Sequence, residues 1–234
     1  MLILGMDTAT AWGSMALLED EEIILEVSLK AMKGGGEYLL AVLAMMTAKT
    51  GHKLNELQLI AVGTGPGSYT GIRVGLAAAK GLAVALGIPV VALSTLRILA
   101  ENGRYAADWV APMIDARRGE IYTALYQSTA EGLLPVIRPE AIAATAFREK
   151  VATLPAVLLC GDGGKNYPEV WNGASQLRIG PKAWDRPMAG LAGLLGQSDW
   201  RNGLAQHPEL LLPSYLRRVE AEVRLEEKAH GNNN

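Results

Sequence analysis

The fold class this sequence predicts is α/β, in two lobes, each a mixed sheet flanked by helices. Three observations carry the prediction. Residues 2–6 form an apolar run that ends at Asp7, and two short apolar or alternating stretches follow at 14–18 and 23–29. The same order recurs later in the chain: an apolar run at 110–114 ends at Asp115, and an alternating partner follows at 121–126. The chain has 234 residues, 50% of them hydrophobic and 20% charged, which suits one large globular domain or two small ones.

Each element has its own signal. The run at 2–6 reads as a buried strand that delivers a carboxylate to a turn, and 14–18 with 23–29 complete an antiparallel meander. Residues 37–49 have helical length and strong helix formers. A short buried strand at 59–63 leads into a glycine-rich loop, and a second helix is expected over 72–86. Gly87 stops that helix, Pro89 opens the strand at 90–93, and Ser94 is placed to cap a third helix through Ala100. A last strand at 157–160 ends in Gly161, Asp162, Gly163 and Gly164. The expected divisions are a first lobe at 1–105, a second at 106–204, a segment packing back on the lobes at 205–227 and a disordered tail at 228–234.

Composition excludes several classes. The net charge is −2 and the pI about 6.0, without the basic excess of a protein that grips nucleic acid alone. The single cysteine, Cys160, has no disulfide partner and sits among apolar residues, as a buried thiol does. The start lacks a basic segment before its short apolar run, so no signal peptide is expected. The longest apolar stretch, 76–93, is interrupted by Lys80 and Pro89, so no membrane span is expected and the compartment is read as cytoplasmic. The histidines, at 52, 207 and 230, show no metal-binding spacing, so no metal site is expected.

Four segments could carry chemistry, each with two open readings. Asp7, Thr8 and Thr10 at a strand-end turn can hold a hydrated metal and phosphate oxygens, or simply bond nearby amides. Gly65, Gly67, Ser68 and Thr70 lie in a loop that can present amides to an anion, or pack tightly in a seam; Ser68 and Thr70 can also cap the next helix. It lacks the lysine of a P-loop, and Pro66 rules out a nucleophile elbow around Ser68. Asp115 could face Asp7 across a cleft, or be neutralised by Arg117 or Arg118. Gly163, with its neighbours, could lie under an adenine ring or form a strand-to-helix turn.

The first two helices carry a different signal. In the first, Leu39, Val42, Leu43 and Met46 make one apolar face, and Tyr38, Ala41, Met45 and Ala48 make a second. In the next, Ala77, Ala78, Gly81 and Ala85 are small enough for another helix to approach closely. A helix that is apolar on two faces is either sandwiched in one core or buried against a partner, and the second reading is favoured.

Taken in order, Asp7 to Thr10, Gly65 to Arg73, Ile114 to Tyr122 and Pro213 to Arg217 resemble the TsaB (YeaZ) family nearly end to end. The resemblance implies the actin-like ATPase (ASKHA, ribonuclease H-like) fold. It implies a non-catalytic role in forming N6-threonylcarbamoyladenosine at position 37 of tRNAs that read codons beginning with A. The transferase would be TsaD, taking threonylcarbamoyl from its adenylate, with the ATPase TsaE joining the complex. The implied partners are thus TsaD as a heterodimer, TsaE, a second copy when alone, and tRNA through the complex. No cofactor is required, though ATP or ADP has a place at the partner interface. Pairing would use Tyr38, Ala41, Met45, Ala77, Ala78, Gly81 and Ala85. Asp7, Thr8, Gly65, Gly67, Ser68, Thr70, Asp115 and Gly163 would be a vestigial nucleotide site.

The chain also departs from the family pattern. Gly35 and Gly36 stand where the family commonly has His-Ser, and Ala116 and Arg117 follow Asp115 where an ATP site wants glycine. The metal-binding histidine pair of the catalytic relative is absent. These departures favour a partner subunit. The alternatives are a small kinase or ATPase using Asp7 and Asp115, and a homodimeric binding module. Arg217, Arg218 and Arg224 are candidates for tRNA contact, or a solvated face.

Overall fold

The computed structural model describes residues 1–30 and 37–217. The Gly35 and Gly36 departure, Arg218, Arg224 and the tail at 228–234 lie outside the described residues. The first sheet has the order β3-β2-β1-β4-β5, built from β1 (Leu2–Asp7), β2 (Trp12–Glu19), β3 (Glu22–Lys30), β4 (Leu57–Gly63) and β5 (Val90–Leu93). Strands β1, β2 and β3 pair antiparallel, while β4 and β5 run parallel to β1. The parallel crossovers are helical: α1 (Glu37–Thr50) joins β3 to β4, and α2 (Tyr69–Leu86) joins β4 to β5. Helix α3 (Thr95–Glu101) then leads to the second sheet.

The second sheet repeats the plan, with the order β10-β9-β6-β7-β8. Its strands are β6 (Trp109–Arg117), β7 (Glu120–Ser128), β8 (Leu133–Ala143), β9 (Val157–Cys160) and β10 (Leu177–Ile179). Helices α4 (Ala144–Lys150), α5 (Gly163–Asn166) and α6 (Pro168–Trp171) connect them, and α7 (Ala189–Arg201) closes the helical set. The repeated order read from the sequence is therefore a repeated meander-plus-crossover topology. This is the predicted two-lobed architecture of mixed sheets flanked by helices.

Alternation along β1 explains why the first sheet is covered on both faces. Leu2, Leu4 and Met6 point to a core shared with α1 and α2, where Leu39, Leu43, Met46, Ile72 and Leu76 are buried. Ile3 points the other way, into a core with Leu18, Ala61, Ala189 and Ala192. Each large apolar side chain so buried contributes about 1.5–3 kcal/mol relative to exposure. Helix α2 is the one helix among the described residues that is long and apolar enough to cross a membrane by length and composition. Its buried stripe, at Ile72, Gly75, Leu76, Ala79 and Ala83, lies on the sheet.

Helix α7 falls in the segment assigned by sequence to the second lobe, yet it packs on β1, β2, β4 and β5 of the first sheet. The reason is a stripe of glycines. A Cβ on Gly193 would sit 2.3 Å from Leu18, and one on Gly196 would sit 2.2 Å from Ala61. These glycines hide the helix from a propensity reading and let it lie against the strands. Glu26 on β3 fastens it, accepting a 3.0 Å hydrogen bond from the Ala189 amide at the helix start.

Smaller differences have local causes. Helix α2 begins at Tyr69 rather than 72, because Ser68 caps it by accepting from the Gly71 amide at 3.3 Å. Ser94 sits at the cap position of α3, but its side chain makes no capping bond. Strand β6 runs on to Arg117, two residues beyond Asp115. Strand β8 and helix α4 were not legible, since Pro135 and Pro139 break the alternation of this edge strand.

Candidate functional site

The two lobes enclose a cleft of about 360 Å³, with Thr10, Ala11 and Ser68 on one wall and Asp115, Tyr122 and Asp162 on the other. Strand β6 carries Asp115 there, as the sequence suggested, but its oxygens are occupied. Asp115 Oδ1 accepts from the Tyr167 hydroxyl at 2.7 Å and from the Arg117 amide at 2.8 Å, and Oδ2 accepts from Asn166 at 3.1 Å. Partial burial pushes the Asp115 carboxyl upward, but these donors and the Arg117 charge outweigh it and hold it below the usual carboxylate range. The Arg117 side chain itself is a minor partner, with Nε 4.0 Å from Oδ2 and most of the chain exposed. Asp162 accepts from the Asp115 amide at 3.1 Å, and burial raises its carboxyl.

Asp7 does not line this cleft. It is fully buried, with Oδ2 accepting from the Thr95 hydroxyl at 2.7 Å and Oδ1 from the Ala9 amide at 2.9 Å. Burial lifts its pKa to about 6, against the lowering effect of those two donors. The same Thr95 hydroxyl accepts from the Gly65 amide at 3.2 Å, so Asp7 ties β1, the glycine loop and α3 together. Burial raises the Tyr38 phenol, and the Asp7 charge adds to it, which places the first turn of α1 near this buried carboxylate.

The glycine loop is filled by the chain itself. A Cβ on Gly67 would lie 2.0 Å from the Ala9 carbonyl oxygen, and the Ser68 amide donates to that same oxygen at 2.6 Å. The Thr8 hydroxyl donates to the Gly71 carbonyl at 2.7 Å. Gly65 is buried, Thr70 is exposed in the first turn of α2, and only Gly67 and Ser68 of the predicted loop residues reach the cleft wall. Gly163 forms a buried strand-to-helix turn against Met113, and its neighbours Asp162 and Asn166 face the cleft instead. Sequence reading missed Thr95, Tyr167 and Asn166. Asn166 and Tyr167 lie just beyond the Gly161–Gly164 turn, and that proximity was the one signal available.

The C-terminal strap contacts both lobes. Ser214 donates from its amide to the Thr64 carbonyl at 2.8 Å, and Tyr215 stacks on Tyr69 with centroids 5.3 Å apart. Arg217 pairs with Glu120 and donates to the Ala116 carbonyl at 2.9 Å, so it joins the strap to the second lobe. Cys160 is buried, and its thiol is pushed up to about 12 by that burial. Among the described residues, no group of three His, Cys, Asp or Glu side chains could hold a metal ion.

A second surface stands out on α1 and α2. Opposite the buried Leu39, Leu43 and Met46, helix α1 exposes Leu40, Ala41, Met45 and Ala48, with Leu40 at 65%. Helix α2 exposes Ala77, Gly81, Val84 and Ala85 beside it, and a Cβ on Gly81 would meet open space. Tyr38 and Ala78 are half-buried at the edge of this face. The second apolar face read from the sequence is thus uncovered among the described residues, apart from the half-buried Tyr38.

Comparison with known proteins places this architecture. The family model described as TsaD, tRNA N6-adenosine threonylcarbamoyltransferase, matches residues 30–149, just over half of the chain. The tRNA threonylcarbamoyladenosine biosynthesis protein TsaB of Bacillus subtilis (strain 168) is 38% identical over 140 residues, 60% of this chain. The matched stretch spans 61% of that protein, short of its whole length. A solved structure from Pseudomonas aeruginosa, of an uncharacterized protein with similarity to peptidase YEAZ, is 29% identical with a TM-score of 0.79. It covers 92% of this chain and 99% of that one. The ROK hexokinase of Thermus thermophilus covers 87% of this chain and all of its own at 13% identity and a TM-score of 0.50, a likeness of fold alone, and the fold is that of the actin-like ATPases. With the motifs, the two-lobed sheet topology and these likenesses together, the chain belongs to the threonylcarbamoyltransferase family that the model describes, and within it to the TsaB/YeaZ group.

Proposed function

We propose that this chain is a non-catalytic partner of a TsaD-type transferase in forming N6-threonylcarbamoyladenosine at position 37 of tRNA, in the cytoplasm and together with TsaE. The observation that carries the reading is the exposed apolar face of α1 and α2, where Leu40, Met45, Val84 and the small residues between them are left uncovered by the described residues. The relatives' names supply the pathway. Two further observations support a supporting role over catalysis. Asp7 is spent on Thr95 and Ala9, and Asp115 on Tyr167, Asn166 and the Arg117 amide. The glycine loop is packed on the chain's own backbone, where a phosphate cradle would need open amides.

On this reading the chain requires no cofactor of its own. ATP or ADP, where present, sits at the partner seam. Alone, the chain pairs with a second copy through the same face. The test is threonylcarbamoyl transfer to tRNA by purified TsaD and TsaE, with and without this chain, and by this chain alone. Transfer that requires both TsaD and this chain is expected. Transfer by this chain alone, or transfer indifferent to its addition, would overturn the reading.

A further inference from the structure

Helix α7 has a second apolar side. Its glycines turn to the first sheet, while Leu191, Leu194 and Leu195 stand together at helical spacing and are half-buried. These leucines line a cavity of about 640 Å³, whose other walls are α3, the 102–105 segment, Trp184 and the turn between β7 and β8. The volume lies in the range of small-molecule sites and exceeds that of the inter-lobe cleft. Because α7 covers the face of the first sheet opposite α1 and α2, the cavity is separate from the docking face. Most charges on its walls are matched within the chain. Arg97 donates to both Asp199 oxygens, at 2.6 and 3.0 Å, and Arg104 Nη2 donates to the Ala130 carbonyl at 3.0 Å. Glu101 differs. Its side chain is 10% exposed, and Arg104 Nη1 stands 3.8 Å away, near enough to balance its charge and too far for a hydrogen bond. Among the described residues, nothing donates a hydrogen bond to this carboxylate, and burial pushes its pKa up.

We propose that this cavity binds an uncharged small molecule with an apolar body and one N–H or O–H donor, the body lying on Leu191, Leu194, Leu195 and Trp184 and the donor on the Glu101 carboxylate. The leucines and Trp184 supply the apolar surface that such a body removes from water. Glu101 supplies the acceptor, since a buried carboxylate oxygen without a donor is costly and an incoming N–H or O–H relieves that cost. The wall charges select against ionised ligands. A cation brought to Glu101 meets Arg104 and Arg97, whose charges already act on that carboxyl. An anion meets Glu101 and Asp199 on the same walls. The site is independent of the partner role proposed above.

The experiment is an NMR titration of the full chain with indole and with 1-methylindole, which has the same body and no donor. Indole should bind at one site per chain, and 1-methylindole about ten-fold more weakly or worse. Tryptamine and indole-3-acetate, which add a cation and an anion to the same ring, should also bind more weakly than indole. Glu101→Leu should remove the preference for indole over 1-methylindole while keeping the affinity for 1-methylindole, which shows that the apolar walls are still in place. Leu194→Asp should weaken both probes, with circular dichroism as the folding control. If wild type binds the two indoles alike, or Glu101→Leu keeps the preference, Glu101 is not the recognising group and the proposal fails. If neither probe binds, or both bind Leu194→Asp as they bind wild type, the cavity is not the site. Each of these failures leaves the docking face of α1 and α2 untouched, because that face is tested by TsaD binding.

Discussion

Replacing Asp7 by Asn separates a buried structural carboxylate from one that serves a cleft. In the fold the Asp7 carboxyl titrates near pH 6, against an ordinary 3.8, and burial is the main cause. The difference of about 2.2 units corresponds to about 3 kcal/mol at 1.36 kcal/mol per unit. The sign follows from proton counting. Below pH 3.8 the acid is neutral in both states. Between 3.8 and about 6 the unfolded chain ionises while the folded one holds its proton, so this group's contribution to stability falls as pH rises. Above 6 the loss is complete.

Asp7→Asn has no such titration. Its stability relative to wild type should therefore rise by about 3 kcal/mol between pH 3.5 and pH 7, whatever constant offset the new amide introduces at Thr95. For a chain of this size that is roughly 6–12 °C in relative Tm, readable by thermal unfolding across a pH series. A difference that stays flat with pH would mean that Asp7 keeps its water in the folded state. The carboxylate would then open on the cleft, as a nucleotide site requires.

Three other outcomes follow from the geometry. Gly196→Ala should destabilise the fold by about 1–3 kcal/mol, because its Cβ would lie 2.2 Å from Ala61. Gly81→Ala, the same chemical change in open space, should stabilise the isolated chain by about 0.5–1 kcal/mol through helix propensity; urea unfolding compares the two. Tyr167→Phe removes the shortest donor to Asp115, so the Asp115 pKa should rise. The folded pKa of Asp115 is lowered, so its stabilisation is present above the unfolded value and lost as pH falls. The Tyr167→Phe deficit should accordingly be about 1–2 kcal/mol at pH 7 and vanish in acid.

Much of the fold was legible because its strands announce themselves. The apolar runs ending at Asp7 and Asp115 are strands, the second running on to Arg117, and their hairpin partners are short, largely buried apolar stretches. What escaped notice was written in a different chemistry. Helix α7 carries Gly190, Gly193 and Gly196, which weaken helix propensity on their own and make sense only against the β-sheet they touch. Strand β8 carries two prolines, which an edge strand tolerates and a central one does not.

The same limit applies to the site. Asp7 and Asp115 look alike in sequence, each a carboxylate closing an apolar run. Their environments are opposite: burial raises one, and a ring of donors lowers the other. The donors, Thr95, Tyr167 and Asn166, come from 51 to 88 residues away in the chain, where no local pattern marks them. The α1–α2 face was easier to read, since a helix with apolar residues on both sides states its need for two partners within one segment of sequence.

The measurement closest to the central claim is titration of TsaD with this chain and with Met45→Asp and Ala78→Asp variants, paired with transfer to tRNA in the presence of TsaE. Met45 is 39% exposed on α1, so Met45→Asp sets a charge in the proposed seam away from the sheet core, while Ala78 is half-buried on α2 and packs against that core, so Ala78→Asp is read together with a folding control by circular dichroism. The expected result is tight wild-type binding, at least a hundred-fold loss in each variant (about 2.7 kcal/mol), and transfer that falls in proportion to the complex formed. Variants that bind and support transfer as the wild type does would contradict the docking face and the partner role built on it.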